Sequence, residues 1–146
     1  MTVWQLTIDA NDPRLLARFW AQALGYRPVP PEAPRTTWHA HYRARLGDDA
    51  AFEDRLFDPA GLGPPLWFQE VPERKAGKNR LHLDLSPTGR DDALPLEARI
   101  GIVEARVAEL VGLGAGVASR ARGDDPEDPF YYVVMHDPEG NEFCVS

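Results

Sequence analysis

A short segment of the chain recurs. Asp58-Pro59-Ala60-Gly61 returns as Asp137-Pro138-Glu139-Gly140. An alternating polar/apolar segment precedes each copy: Gln5-Leu6-Thr7-Ile8-Asp9 in the first half, Arg80-Leu81-His82-Leu83-Asp84 in the second. Each half also holds a helix-like stretch ending in Leu-Gly, at Leu24-Gly25 and Leu113-Gly114. The intervals from Asp9 to Asp58 and from Asp84 to Asp137 are similar. Same elements, same order and similar spacing describe a duplicated module, and repeats constrain a fold more than local propensity does. Two copies of one unit commonly pair about a pseudo-two-fold axis, and a ligand site can form where they meet.

Within the first copy, Val3 to Ala10 alternates as a strand, with Thr7 and Asp9 opposite Leu6 and Ile8. Asp12-Pro13 reads as an N-cap followed by proline at the first helical position. Leu15, Leu16, Phe19, Trp20, Ala23 and Leu24 then recur at helical spacing, and Gly25 suits the C-terminal cap. Residues 28–36 are proline-rich and read as an extended loop. The alternation in Trp38 to Leu46 and in Phe52 to Phe57 predicts two strands joined by a turn, and Leu66 to Val71 a further one. In the second copy Leu81, Leu83 and Leu85 form an apolar strand face opposite Arg80, His82 and Asp84. Residues 87–96 are an insertion. Ile100, Val103, Val107, Leu110 and Val111 predict a helix, and strands are expected at Val117–Arg120, Tyr131–Met135 and Glu142–Val145. The plan is β-α-β-β-β written twice in an α+β fold: module 1 at about 1–71, a basic connector at 72–79, module 2 at about 80–146, forming one domain.

The formal net charge of −7 argues against nucleic acid, which is held mainly by cationic contacts to phosphate. No run approaches the length of a membrane span, and the N-terminal residues lack a basic and apolar leader pattern. One cysteine, Cys144, permits no internal disulfide, so the expectation is a cytoplasmic protein. The acidic run Asp124 to Asp128 reads as a solvated loop.

Four stretches carry a resemblance: Asp9-Ala10-Asn11-Asp12-Pro13, Phe19 to Tyr26, Lys78 to Leu85, and Asp137 to Val145. Together they resemble the vicinal oxygen chelate superfamily of glyoxalases, bleomycin-resistance proteins and extradiol dioxygenases, and in particular its small glyoxalase-like domain proteins. The resemblance implies paired modules forming a curved, cupped mixed sheet with helices on the outer face, and commonly a homodimer. It also implies a divalent metal held by four side chains, two from each module. Those positions fall on Gln5, on Gln69 or Glu70, on Arg80 and on Cys144. Arginine has no lone pair to offer a metal. Hard cations want oxygen donors, so this set does not make their site. His82 would serve only if the strand slid by two residues. The expectation is no metal and no other cofactor, with a divalent metal as the alternative.

His82 and Asp84 share a strand face about 6.5 Å apart. An imidazole beside a carboxylate is a candidate general base or ligand contact; a structural hydrogen bond is the plainer reading. Asp9 and Asp84 read as turn-binding carboxylates. Cys144 reads as an inert core thiol. His39 and His41 would share one strand face, beside Arg43 and Arg45, which repel a cation. Trp38, Trp67, Phe68, Tyr131 and Tyr132 are candidates for lining a pocket or for the core. No catalytic residue is assigned. The ligand-binding expectation rests on Gln5, Thr7, Trp67, Gln69, Arg80, His82, Asp84 and Cys144. The chain reads first as a small-molecule binder without the family's metal. The rivals are a metal-dependent lyase, isomerase or dioxygenase, a metal-free catalyst using His82, and an interaction module whose cavity is filled.

Overall fold

In a computed structural model, residues 2–30, 37–47, 51–91 and 93–146 are described, with the backbone alone for 37–39. Two compact units divide between Arg74 and Lys75.

The first unit holds β1 (Leu6–Ala10), α1 (Pro13–Leu24), α2 (Thr37–Leu46), β2 (Arg55–Leu56) and β3 (Leu66–Glu70). Helix α1 follows the sequence reading closely. Asp12 caps it, accepting from the Arg14 and Leu15 backbone N–H groups at 3.1 and 3.0 Å, and Gly25 ends it at φ 70°. Its buried stripe of Leu16, Ala17, Phe19, Trp20 and Ala23 shares this unit's core with Ala10, Leu56, Leu66 and Phe68. Strand β3 lies centrally, parallel to β1 and antiparallel to β2. The expected strand at 38–46 is instead helix α2, so this unit runs β-α-α-β-β. The expected strand at 52–57 is regular only at Arg55–Leu56, extended by a bridge from Phe57 to Arg27.

The second unit is β-α-β-β-β: β4 (Asp84–Leu85), α3 (Leu96–Gly112), β5 (Gly116–Gly123), β6 (Phe130–His136) and β7 (Glu142–Val145). Its sheet order is β4-β7-β6-β5, with β4 parallel to β7 and the other pairs antiparallel. Val103, Val107 and Leu110 of α3 are buried, as are Val133 and Met135 of β6 and Phe143 and Val145 of β7. The helix therefore covers one sheet face. Burying each such side chain contributes about 1.5–3 kcal/mol relative to exposure. Strand β4 is shorter than its apolar pattern predicts: Leu81 precedes it and is 80% exposed.

Both Asp-Pro-x-Gly segments are turns closed by their aspartate. Asp58 accepts from the backbone N–H groups of Ala60, Leu62 and Gly63. Asp137 accepts from Glu139 and Asn141. The repeat in sequence is thus a repeat of one hydrogen-bonded turn.

Candidate functional site

Strand alternation sorts the second unit's side chains. Phe143 and Val145 face the helix, so Glu142 and Cys144 point the other way. Asp84 pairs with Cys144 across the parallel ladder and shares its face. Val134 and His136 of β6 pair with Cys144 and Glu142 and lie on that face too. It is the polar face of this sheet.

On it, His82, Asp84 and Cys144 converge, and one potential ligand atom from each lies within 4.8 Å of the others. His82 Nδ1 is 2.9 Å from Asp84 Oδ1. The two side chains are 42% and 46% exposed, so solvent and solutes reach them. Burial pushes the Cys144 thiol above its ordinary pKa, and the charge of Asp84 and a hydrogen bond to it push the same way. Cys144 is therefore a protonated thiol at neutral pH, and Asp84 accepts from it. A carboxylate accepting from imidazole and thiol together fixes His82 with Nδ1 toward Asp84, leaving Nε2 free for a ligand. Nearby, Glu142 accepts from Lys78 Nζ and from the Asn79 backbone, both at 3.1 Å. Despite the opposing effect of burial, those bonds, with Lys78's the stronger, hold Glu142 below the usual carboxylate range.

The first unit has a corresponding face. Thr7 pairs with Trp67 and Asp9 with Gln69, in the same first-strand to last-strand arrangement as Asp84 with Cys144. By register Gln69, and not Glu70, is the counterpart of Cys144, and Thr7 is the counterpart of His82. Gln5 lies just before β1, with its Nε2 3.4 Å from Thr7 Oγ1. Trp67 is half-buried. The Arg55 guanidinium lies 4.9 Å from its ring centroid, and Trp67 Nε1 donates to Asp54 at 3.1 Å. Tyr42 and Phe52 flank the same guanidinium at 5.8 and 5.9 Å. A cleft of about 910 Å³ opens here, lined by Asp12, Phe52, Asp54, Trp67, Gln69 and Glu70 among others. Arg55 and Asp54 carry no signal in the sequence pattern. Their part in the site comes from β2 pairing Arg55 against Trp67.

Other candidates separate from these faces. Phe68 is fully buried core. Tyr131 donates to Glu104 on α3. Trp38 and His39 lie outside the residues whose side chains are described. His41 is on helix α2, where positions two apart diverge, so the expected strand-face pair with His39 does not form. Arg80 is exposed and outside β4, and makes no ion pair among the described residues.

The family described as "Glyoxalase-like domain" matches residues 5–146, and the chain belongs to it, within the vicinal oxygen chelate superfamily. No curated protein matches. Among solved structures, the chain is similar to a glyoxalase/bleomycin resistance protein/dioxygenase family enzyme from Burkholderia phytofirmans PsJN. The TM-score is 0.57 at 15% identity, covering 97% of this chain and 94% of that one. It is also similar to the fosfomycin resistance protein FosX from Mesorhizobium loti, with TM-score 0.52 and 16% identity over 99% and 89%. A mutant FosX from Listeria monocytogenes, complexed with Mn(II) and 1S,2S-dihydroxypropylphosphonic acid, gives TM-score 0.54 and 11% identity over 99% and 87%. At these identities the likeness is one of fold.

The residues do not fit the superfamily's hard-cation set. Arg80 offers no lone pair, and Cys144 is a thiol held protonated where a carboxylate or imidazole is wanted. The donors that do converge in the second unit are one nitrogen, one oxygen and one sulfur.

Proposed function

We propose that this chain binds a small organic molecule at the polar sheet face of its second module, without the superfamily's hard divalent metal. The observation that carries the reading is the His82–Asp84–Cys144 group: an oriented imidazole and a partly exposed carboxylate on the polar sheet face. The ligand-binding residues in the second unit are Arg80, His82, Asp84 and Cys144; the first unit's own polar face offers Gln5, Thr7, Trp67 and Gln69. Imidazole, carboxylate and guanidinium suit a ligand with several hydrogen-bonding groups, and in the first unit Trp67 suits a planar one. The test is a thermal-shift screen of chelator-treated protein against metabolites and antibiotics. A ligand at 100 times its Kd stabilises by about 2.7 kcal/mol. A library that leaves the melting temperature unmoved contradicts the reading.

One observation favours a second reading. His82, Asp84 and Cys144 supply the donor types of a borderline cation such as zinc, which accepts nitrogen, oxygen and sulfur together. In that reading these three side chains hold the ion, and Cys144 gives up its proton on binding. Elemental analysis of gently purified protein separates the two readings: stoichiometric metal supports the second and defeats the first.

The proposal includes a homodimer. Strand β5 is an edge of its sheet, with Val117 exposed, and bare edges invite association. Light scattering giving a single monomer mass over a wide concentration range contradicts it.

A further inference from the structure

A cavity in the second unit shares no residue with the group around His82. It has a volume of about 360 Å³, within the range of ligand pockets. Two arginines line it, Arg90 and Arg99. Elsewhere in this unit, Arg106, Arg120 and Arg122 are each paired with a carboxylate. Arg90 and Arg99 form no ion pair among the described residues. Arg99 stands in the first turn of α3 and donates from Nη2 to the Pro129 carbonyl at 3.0 Å, which holds the guanidinium in place. Its Nε–H is buried and has no acceptor. A buried donor without an acceptor is costly, so this guanidinium is held under-satisfied at the cavity wall. Asp91 also lines the cavity, but its Oδ1 accepts from the Ala93 backbone N–H at 2.9 Å and pairs with neither arginine.

The remaining wall is aromatic. Phe130 and Tyr132 stack with ring centroids 5.9 Å apart and planes 23° apart, and they are 43% and 39% exposed. Two near-parallel, accessible rings in one cavity with two guanidinium groups that meet no carboxylate among the described residues are complementary to one kind of ligand. The rings receive a flat apolar body, and the arginines receive a carboxylate, which a guanidinium fork binds with two hydrogen bonds.

We infer that this cavity is a binding site for planar aromatic carboxylates. None of its lining residues belongs to the His82–Asp84–Cys144 group, so the two readings can be tested separately.

The test uses 2-naphthoate as probe, titrated calorimetrically into the full-length protein, with 2-naphthylmethylamine and cyclohexanecarboxylate as controls. Binding of 2-naphthoate in preference to both controls is expected. Arg99→Gln should weaken it at least about tenfold, the effect of one charge-assisted hydrogen bond. Tyr132→Ala, at a partly exposed position, should weaken it without Arg99 being touched. Arg90→Gln, at an exposed position, is the second charge variant should Arg99→Gln fail to fold. No heat of binding to the wild type overturns the inference. So does equal binding of the amine or the alicyclic acid, or an affinity unchanged in Arg90→Gln and Tyr132→Ala.

Discussion

Asp137 is 3% exposed, and its carboxylate takes backbone and side-chain hydrogen bonds from Asn141 and a backbone bond from Glu139. Asp137→Ala leaves those donors without an acceptor and should cost about 1–3 kcal/mol, measured by urea denaturation. Asp58 closes the equivalent turn in a less buried setting. Burial alone would raise its pKa, but the N–H groups of Gly63, Ala60 and Leu62 outweigh that and hold it below the usual range. A depressed folded pKa means that Asp58 contributes stability fully above the unfolded value of about 3.9 and loses it as pH falls through the folded value. Acid unfolding of Asp58→Asn should therefore be less pH-dependent than that of wild type in this window. Cys144 makes a different prediction. Its raised pKa keeps the thiolate scarce, so alkylation by iodoacetamide at pH 7 should be slower than for a free thiol, rising only at higher pH. Rapid alkylation at neutral pH would contradict the Asp84 contact. These aspartates could be found by eye because turn chemistry is local. The Arg55–Trp67 stack could not, because it depends on which strand pairs with which.

Among the elements, α1 was readable from end to end: Asp12, Pro13, the apolar stripe and Gly25 are all local signals. Gly25 sits at φ 70°, where a Cβ is strained, although nothing crowds the site. Gly25→Ala should cost about 1–2 kcal/mol, and Asp12→Ala about 1 kcal/mol, in thermal or urea denaturation. Helix α2 stands where the sequence pattern predicts a strand, for a physical reason. Thr-Trp-His-Ala-His-Tyr-Arg-Ala-Arg-Leu alternates polar and apolar like a strand and carries no apolar stripe at helical period. Yet alanine, arginine and leucine favour helices, and Tyr42 is engaged by Phe52 and Phe57 at centroid distances of 4.7 and 5.6 Å. Tertiary contact decides such a segment, and alternation does not report it. Strand β4 shows the converse: its apolar pattern extends beyond the two residues that find a partner in β7.

At the scale of the whole chain, order and spacing make two related units legible, each with its first strand parallel to its last, but not that the first unit has a helix where the second has a strand. Membership of the glyoxalase-like family followed from the same segments. The candidate site was legible in part. Alternation in the sequence pairs His82 with Asp84, and they meet although His82 lies just before β4, but the addition of Cys144 depends on the parallel register of β4 and β7. The matching register of β1 and β3 brings Asp9 beside Gln69, so each module carries the same pairing in different chemistry. Arg80 and Cys144 stand where the family resemblance implies metal ligands, and His82 and Asp84 are partly exposed on the second unit's polar face. On the proposed function, this face takes up an organic ligand with no metal. The direct measurement is thermal denaturation of chelator-treated wild-type and His82→Ala protein, each with and without the metabolite and antibiotic library. At least one compound is expected to raise the wild-type melting temperature, His82→Ala to abolish the shift, and the unliganded variant to melt close to wild type. The proposed function is contradicted if no compound stabilises the chelated protein, if stabilisation appears only on adding metal, or if His82→Ala lowers stability while the ligand-induced shift persists.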